Sequence, residues 1–115
     1  KFEASETSDY WAVSYRQGVR WLNDNALPNS ILYIPIADHL VRLPGALWLR
    51  SDIVLTSHEF ADSLWQSQQP VYVMFITHPS FSDDIARYCT EKLEPLHSLT
   101  VEGKPVTLIY RLETP

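Results

Sequence analysis

The sequence predicts an α/β fold, a three-layer sandwich with a mainly parallel sheet and an antiparallel C-terminal hairpin. Three observations lead there. Apolar runs and amphipathic stretches alternate along most of the chain, as helices and strands do in an α/β sandwich. The run Val71-Tyr72-Val73-Met74-Phe75-Ile76 has no polar face, which fits a strand covered on both sides. The C-terminal tail departs from the alternation. The segment from Leu96 to Val101, a Glu-Gly-Lys-Pro turn, then Val106 to Leu112 read as a hairpin.

Taken in order, residues 1–13 read as a lead-in or linker and residues 14–115 as a single domain. Ser14 with Gln17 has the spacing of a capping box, so the first helix is expected to start at Ser14. Tyr15, Val19, Leu22 and Ala26 then recur at helical spacing as its buried stripe. Asn25 and Pro28 end it, because proline cannot continue the hydrogen-bond ladder. Ile31-Leu32-Tyr33-Ile34, between Ser30 and Pro35, is expected to be a strand covered on both faces. A short helix is expected over 37–43, stopped by Pro44-Gly45, and a second strand between Leu47 and Leu55. That strand is centred either on Leu47-Trp48-Leu49 or on Ile53-Val54-Leu55.

Thr56 with Glu59 is a second capping box, predicting a helix to about Gln68 with Phe60, Ala61, Leu64 and Trp65 on its buried face. Val71–Ile76 should be the central strand. Ser82 is expected to cap a further helix with Asp83 and Asp84 in its first turn, complementing the helix dipole. Ile85, Cys89 and Leu93 form its core stripe and Pro95 stops it. In the last strand Val106, Leu108, Tyr110 and Leu112 alternate with Thr107, Ile109 and Arg111, the pattern of an antiparallel edge strand with one wet face. The first strands should be parallel, joined by right-handed crossovers.

Composition narrows the function. At 45% hydrophobic and 20% charged, the chain belongs to folded domains, not disordered ones. A net charge of −5 with no basic stripe argues against nucleic acid and against docking on an anionic membrane face by charge alone. The longest apolar run, Val71–Ile76, is far short of the roughly 20 residues a spanning helix needs. The first residue is Lys1 rather than Met, so a piece of a longer protein is expected, with targeting and membrane signals lying outside it. Four Trp, six Tyr and four Phe are many for 115 residues, which raises the prospect of a packing partner.

Few residues carry a chemical signal. His39 beside Asp38, and His78 near Ser80, fall after strands, where ligands of open α/β sheets sit. They are low-ranked ligand or acid–base candidates against a plain role in turns, and no residue is assigned a catalytic role. The four histidines are about twenty residues apart and lack paired ligand spacing, so neither a metal nor any cofactor is expected. Cys89 on an apolar helix face reads as a small buried hydrophobe. Arg16 and Arg20, four apart on the first helix, point the same way and could together hold a phosphate or carboxylate; the plainer alternative is a solvated face with Asp24 nearby. Tyr10 and Trp11 are either a plug that fastens the N-terminal segment to the sheet or an interface to a neighbouring domain.

The segment Asp9-Tyr10-Trp11-Ala12-Val13-Ser14-Tyr15-Arg16-Gln17-Gly18-Val19-Arg20-Trp21-Leu22-Asn23-Asp24-Asn25-Ala26, followed by Pro28 and Ile31-Leu32-Tyr33, resembles a stretch of bacterial multi-pass membrane glycosyltransferases similar to the dolichyl-phosphate-mannose protein mannosyltransferase group, glycosyltransferase family 39. In that group the pattern follows the last transmembrane helix and opens a C-terminal extracytoplasmic domain. The resemblance implies a parent enzyme that moves a sugar from a polyprenyl-phosphate donor, with its catalytic acids in loops between membrane helices outside these residues. It implies an accessory domain, inactive alone and attached to the membrane through its parent, on the periplasmic or outer face. Such a domain would help bind an acceptor or cover the active site. Its partners would be its own transmembrane region and a glycan, lipid-linked sugar or protein acceptor. The alternative reading is a free-standing α/β ligand-binding or interaction domain that uses His39, His78 and Arg16.

Overall fold

A computed structural model describes residues 4–36, 49–76, 83–101 and 104–113, with side chains over 13–36, 49–76, 83–100 and 107–113. The elements are α1 (Ala4–Asn25), β1 (Ser30–Tyr33), β2 (Ile53–Leu55), a 3₁₀ helix (His58–Gln66), β3 (Val71–Ile76), α2 (Asp84–Lys92), β4 (His97–Val101) and β5 (Lys104–Arg111). The strands form one five-stranded sheet in the order β2-β1-β3-β5-β4. β1 pairs in parallel with both β2 and β3, while β3–β5 and β4–β5 are antiparallel. The predicted mixed α/β architecture is the one observed.

Each face of the sheet carries its own core. On one side Tyr15, Val19, Leu22 and Ala26 of α1 pack on Leu32, Ile34, Tyr72, Met74 and Ile109. The opposite side buries Tyr33, Val73, Phe75 and Tyr110 beneath Leu64 of the 3₁₀ helix and Ile85, Ala86 and Cys89 of α2. Alternate residues of one strand therefore serve opposite layers, and every residue of β3 is buried. The run without a polar face is accordingly the middle strand of the five. Gly18 lets α1 lie close to the sheet, since a side chain there would run into Met74.

Four local expectations are corrected. The first helix begins at Ala4, not Ser14, and so runs through most of the stretch read as a lead-in. Ser14 lies inside the helix, fully buried, and its hydroxyl meets Thr107 of β5 instead of capping its own backbone. The helix expected from Thr56 is 3₁₀ rather than α, with Ser57 as its N-cap residue and no side-chain capping bond. In a threefold helix residues i and i+3 eclipse, so Ala61 and Leu64 share the inner face while Phe60, Ser63 and Gln66 turn outward. Phe60, expected inside, is 57% exposed. β5 is not an edge strand: it lies between β3 and β4, with Thr107 and Ile109 buried towards α1 and Tyr110 towards α2. The edge position belongs to β4, whose pairing shifts register between Leu99 and Thr100, a device that blunts an open edge. The cap of α2 is Asp83, which accepts from Ala86 N–H through its side chain; Ser82 lies outside the described residues.

Ile53–Leu55 is the second strand. The expected helix over 37–43 and the Leu47-Trp48 alternative lie outside the described residues. No described helix is long and apolar enough to cross a membrane.

Candidate functional site

From β1 the chain goes to β2 on one flank and then returns to β3 on the other, so β1 and β3 bracket the point where the winding reverses. In open α/β sheets, ligands bind beyond the carboxyl ends of the strands at such a point. Four side chains converge on this end. Tyr15 donates its hydroxyl to Ile36 carbonyl at 2.7 Å from the α1 side. His58 Nε2 lies 2.6 Å from Pro35 carbonyl oxygen. A carbonyl only accepts, so Nε2 is the donor of this bond. The same imidazole meets Tyr33 edge-on, with ring centroids 5.7 Å apart. Tyr33 hydroxyl donates to Asp83 Oδ2 at 2.8 Å, while Asp83 Oδ1 accepts Ala86 N–H at 3.0 Å.

That last pair of bonds sets what this end can bind. A helix N-terminus beside a strand end is ordinarily a place for phosphate. Here Asp83 fills it with the protein's own carboxylate, which repels a second anion. With Tyr33 buried, what the group presents to a neutral or cationic ligand is the exposed imidazole of His58.

A different chemistry lies on the outer side of α1. Arg16, Val19, Arg20 and Asn23, at helical offsets of 3, 4 and 7, line a concavity of about 300 Å³. Arg16 and Arg20 are exposed, while Val19 is buried. Asp24 stands one turn beyond Arg20, but the ion pairs among the described residues do not join the two. An arginine preceding its acid along the helix is the weaker orientation for such a pair. Asn23 is turned towards the β1–β2 connection, its Oδ1 accepting Arg50 N–H at 2.7 Å.

Arg50 closes the end of α1. No basic residue lies in the last turn of that helix. The charge that its carbonyl end favours comes instead from Arg50. Its guanidinium donates to the carbonyls of Asn23, Ala26 and Leu27 at 2.9, 2.9 and 3.0 Å. Asp52 accepts from Arg50 Nε at 2.5 Å and from Asn29 N–H at 2.9 Å. The hydrogen bond from Arg50, then that from Asn29, holds the Asp52 carboxyl below the usual carboxylate range. Asn29 has a φ of 58°, a left-handed conformation that asparagine tolerates better than most residues.

Of the residues singled out in the sequence, Arg16 and Arg20 are brought together. His39 and His78 lie outside the described residues. Tyr10 and Trp11 are in α1, and their side chains are outside the described ones. Cys89 is fully buried and its thiol is pushed up to about 12, chiefly by burial and then by the charge of Asp83. His97 stacks on Trp21, centroids 4.8 Å apart and rings nearly parallel. Among the described residues no three His, Cys, Asp or Glu side chains are placed to hold a metal ion. Sequence reasoning does not find the Tyr33–His58–Asp83 group or Arg50. Tyr33 looks like one more apolar residue in a strand, and only its position at the strand end could flag it. His58 reads only as part of a helix start. No family model, curated protein or solved structure matches the chain.

Proposed function

We propose that this chain is an accessory domain of a polyprenyl-phosphate-sugar-dependent membrane glycosyltransferase, carried on the extracytoplasmic side and inactive alone. One observation carries the reading: the stretch that resembles those enzymes, Asp9–Ala26, coincides with the helix on which one whole core is built. Tyr15, Val19 and Leu22 of that stretch are core residues, so the resemblance falls on what builds the domain rather than on a reacting centre. The helical start at Ala4 supports rigid carriage of the domain instead of a swivel at residue 13. In this role the domain shapes the acceptor side or covers the membrane active site. The test is sugar transfer by the parent polypeptide in membranes, with and without residues 1–115. The expected result is transfer that falls when they are removed and is absent from the domain alone. Transfer by the isolated domain, or a parent without several long apolar spans, overturns the proposal.

A second reading, a free-standing α/β ligand-binding domain, draws on the Tyr33–His58–Asp83 group at the strand ends. Its measure is ligand-induced NMR shifts at His58. A library of neutral and cationic small molecules that leaves this residue unmoved removes the reading's support.

A further inference from the structure

We propose that the hollow where the 3₁₀ helix turns into β3, lined among others by Trp65, Gln68 and Gln69, is a binding site for a single neutral sugar ring. Buried Leu64 and Val71 give it an apolar floor. Trp65 is half-buried and lies at right angles to Tyr88, with ring centroids 5.1 Å apart. Tyr88 is held in turn, because its hydroxyl donates to Glu113 carbonyl at 2.9 Å. An indole fixed in this way offers an apolar face to the C–H side of a sugar and a polar N–H at its edge. The carboxamides are arranged as well. Ser67 hydroxyl donates to Gln69 carbonyl at 3.0 Å and accepts Gln69 N–H at 3.1 Å, which tightens the turn. Gln69 Nε2 donates to Asn29 carbonyl at 2.9 Å, so the acceptor this side chain has to offer is its carboxamide oxygen. Gln68 is exposed, and its carboxamide makes no hydrogen bond among the described residues. Carboxamides both give and take hydrogen bonds, as neighbouring sugar hydroxyls do. Groups set in place beforehand lose little freedom on binding.

Arg111 also lines the hollow, which raises an anion as the rival ligand. That residue stands opposite Tyr72, part of the core on the α1 side, so its side chain leaves β5 on the face away from Trp65. The carboxamides and the indole are uncharged and favour a neutral ligand. The volume of about 170 Å³ is below the roughly 300 Å³ at which drug-sized sites begin, and suits one ring rather than a chain of them. This place lies at the amino end of β3, away from the Tyr33–His58–Asp83 group at the carboxyl ends of the strands. The site stands independently of the accessory-domain reading.

The experiment titrates the 115-residue chain with D-mannose, D-glucose, D-galactose and N-acetyl-D-glucosamine, and separately with sodium acetate. NMR follows the Trp65 indole N–H and the side-chain amides of Gln68 and Gln69, with the Trp21 indole on α1 as the internal reference. Gln68→Ala and Trp65→Phe are the test variants, and the phenylalanine keeps a ring against Tyr88. Gln17→Ala, an exposed position on α1 outside the hollow, is the control. Saturating shifts at Trp65, Gln68 and Gln69 with at least one sugar at millimolar concentration are expected. Affinity that weakens about tenfold in each test variant and holds in Gln17→Ala supports the site. No response to any sugar, a response to acetate alone, or one that Gln17→Ala lowers as much as Gln68→Ala does, overturns the proposal. Because sugar transfer is not measured, failure here is distinct from failure of the accessory-domain reading.

Discussion

Ser14 and Thr107, 93 positions apart in sequence, join their hydroxyls in a hydrogen bond sealed between α1 and β5. Both residues are fully buried, so each hydroxyl depends on the other in a place water does not reach. Replacing Ser14 by Ala orphans Thr107 and is expected to cost about 1–3 kcal/mol, because a buried unsatisfied group loses its full solvation. The double variant Ser14→Ala/Thr107→Val removes both partners and should recover part of that loss. Urea unfolding of the four members of this cycle measures it. A double variant no more stable than the sum of the singles would mean that the hydroxyls act independently.

Arg50→Ala should destabilise the fold by about 1–3 kcal/mol, since it uncaps α1 and frees Asp52 together. Arg50→Lys should recover little. One ammonium cannot span the carbonyls of Asn23, Ala26 and Leu27 while also meeting Asp52. Thermal unfolding of the two variants decides this, and a lysine variant as stable as the native chain contradicts the forked geometry.

Acid sensitivity follows from Asp52. Its folded-state pKa lies below its unfolded value, so its contribution is complete above the ordinary carboxylate range. As pH falls through the folded-state value that contribution disappears. The native chain should therefore lose more stability than Asp52→Asn on going from neutral pH into the acid range below the ordinary carboxylate value. Parallel midpoint-versus-pH curves for the two proteins would disprove the linkage.

Gly18→Ala sets two effects against each other. Alanine favours an exposed helix by about 1 kcal/mol over glycine. At this position, however, the added methyl would press on Met74, a fully buried side chain, and lie close to Leu99 and Ile109. Overpacking of about 1–3 kcal/mol is expected to win. Shortening Met74 to Ala in the same chain should make room, so that the alanine at 18 costs less there than in the native background. Denaturant midpoints read out the coupling.

The layers are legible in the sequence because they rest on repeated patterns. Tyr15, Val19, Leu22 and Ala26 recur at the period of a helix, and all four are buried. Val71–Ile76 reads as central from composition alone, since an edge or half-wet strand would need polar residues on one face. The failures share a different cause. Ser14 matches a capping box with Gln17, yet a local pattern cannot register that Thr107 waits across the sheet. Thr107 in turn makes β5 look half wet, because a threonine with a buried partner is indistinguishable in sequence from one facing solvent. A 3.6-residue period places Phe60 inside, but the segment does not follow that period. At the candidate sites, the Arg16–Arg20 spacing can be read directly, as both lie on one element. Tyr33, His58 and Asp83 come from three separate parts of the chain, and only the folding of the sheet brings them together.

The placement of β5 sets an order on assembly. Ribosomes deliver Lys104–Arg111 after β1, β2, β3 and β4, yet that strand pairs with the middle of the sheet. Until it arrives, β3 has β1 on one side and a row of unpaired backbone groups on the other, flanked by side chains that the finished fold buries throughout. An open, hydrophobic strand of this kind recruits strands from other molecules. During synthesis the chain thus passes through a stage with an adhesive half-sheet, and β4 cannot relieve it, because β4 reaches the sheet only through β5. Ribosome-bound chains arrested before β5 emerges should therefore depend on a chaperone to remain monomeric, whereas those released after it should not.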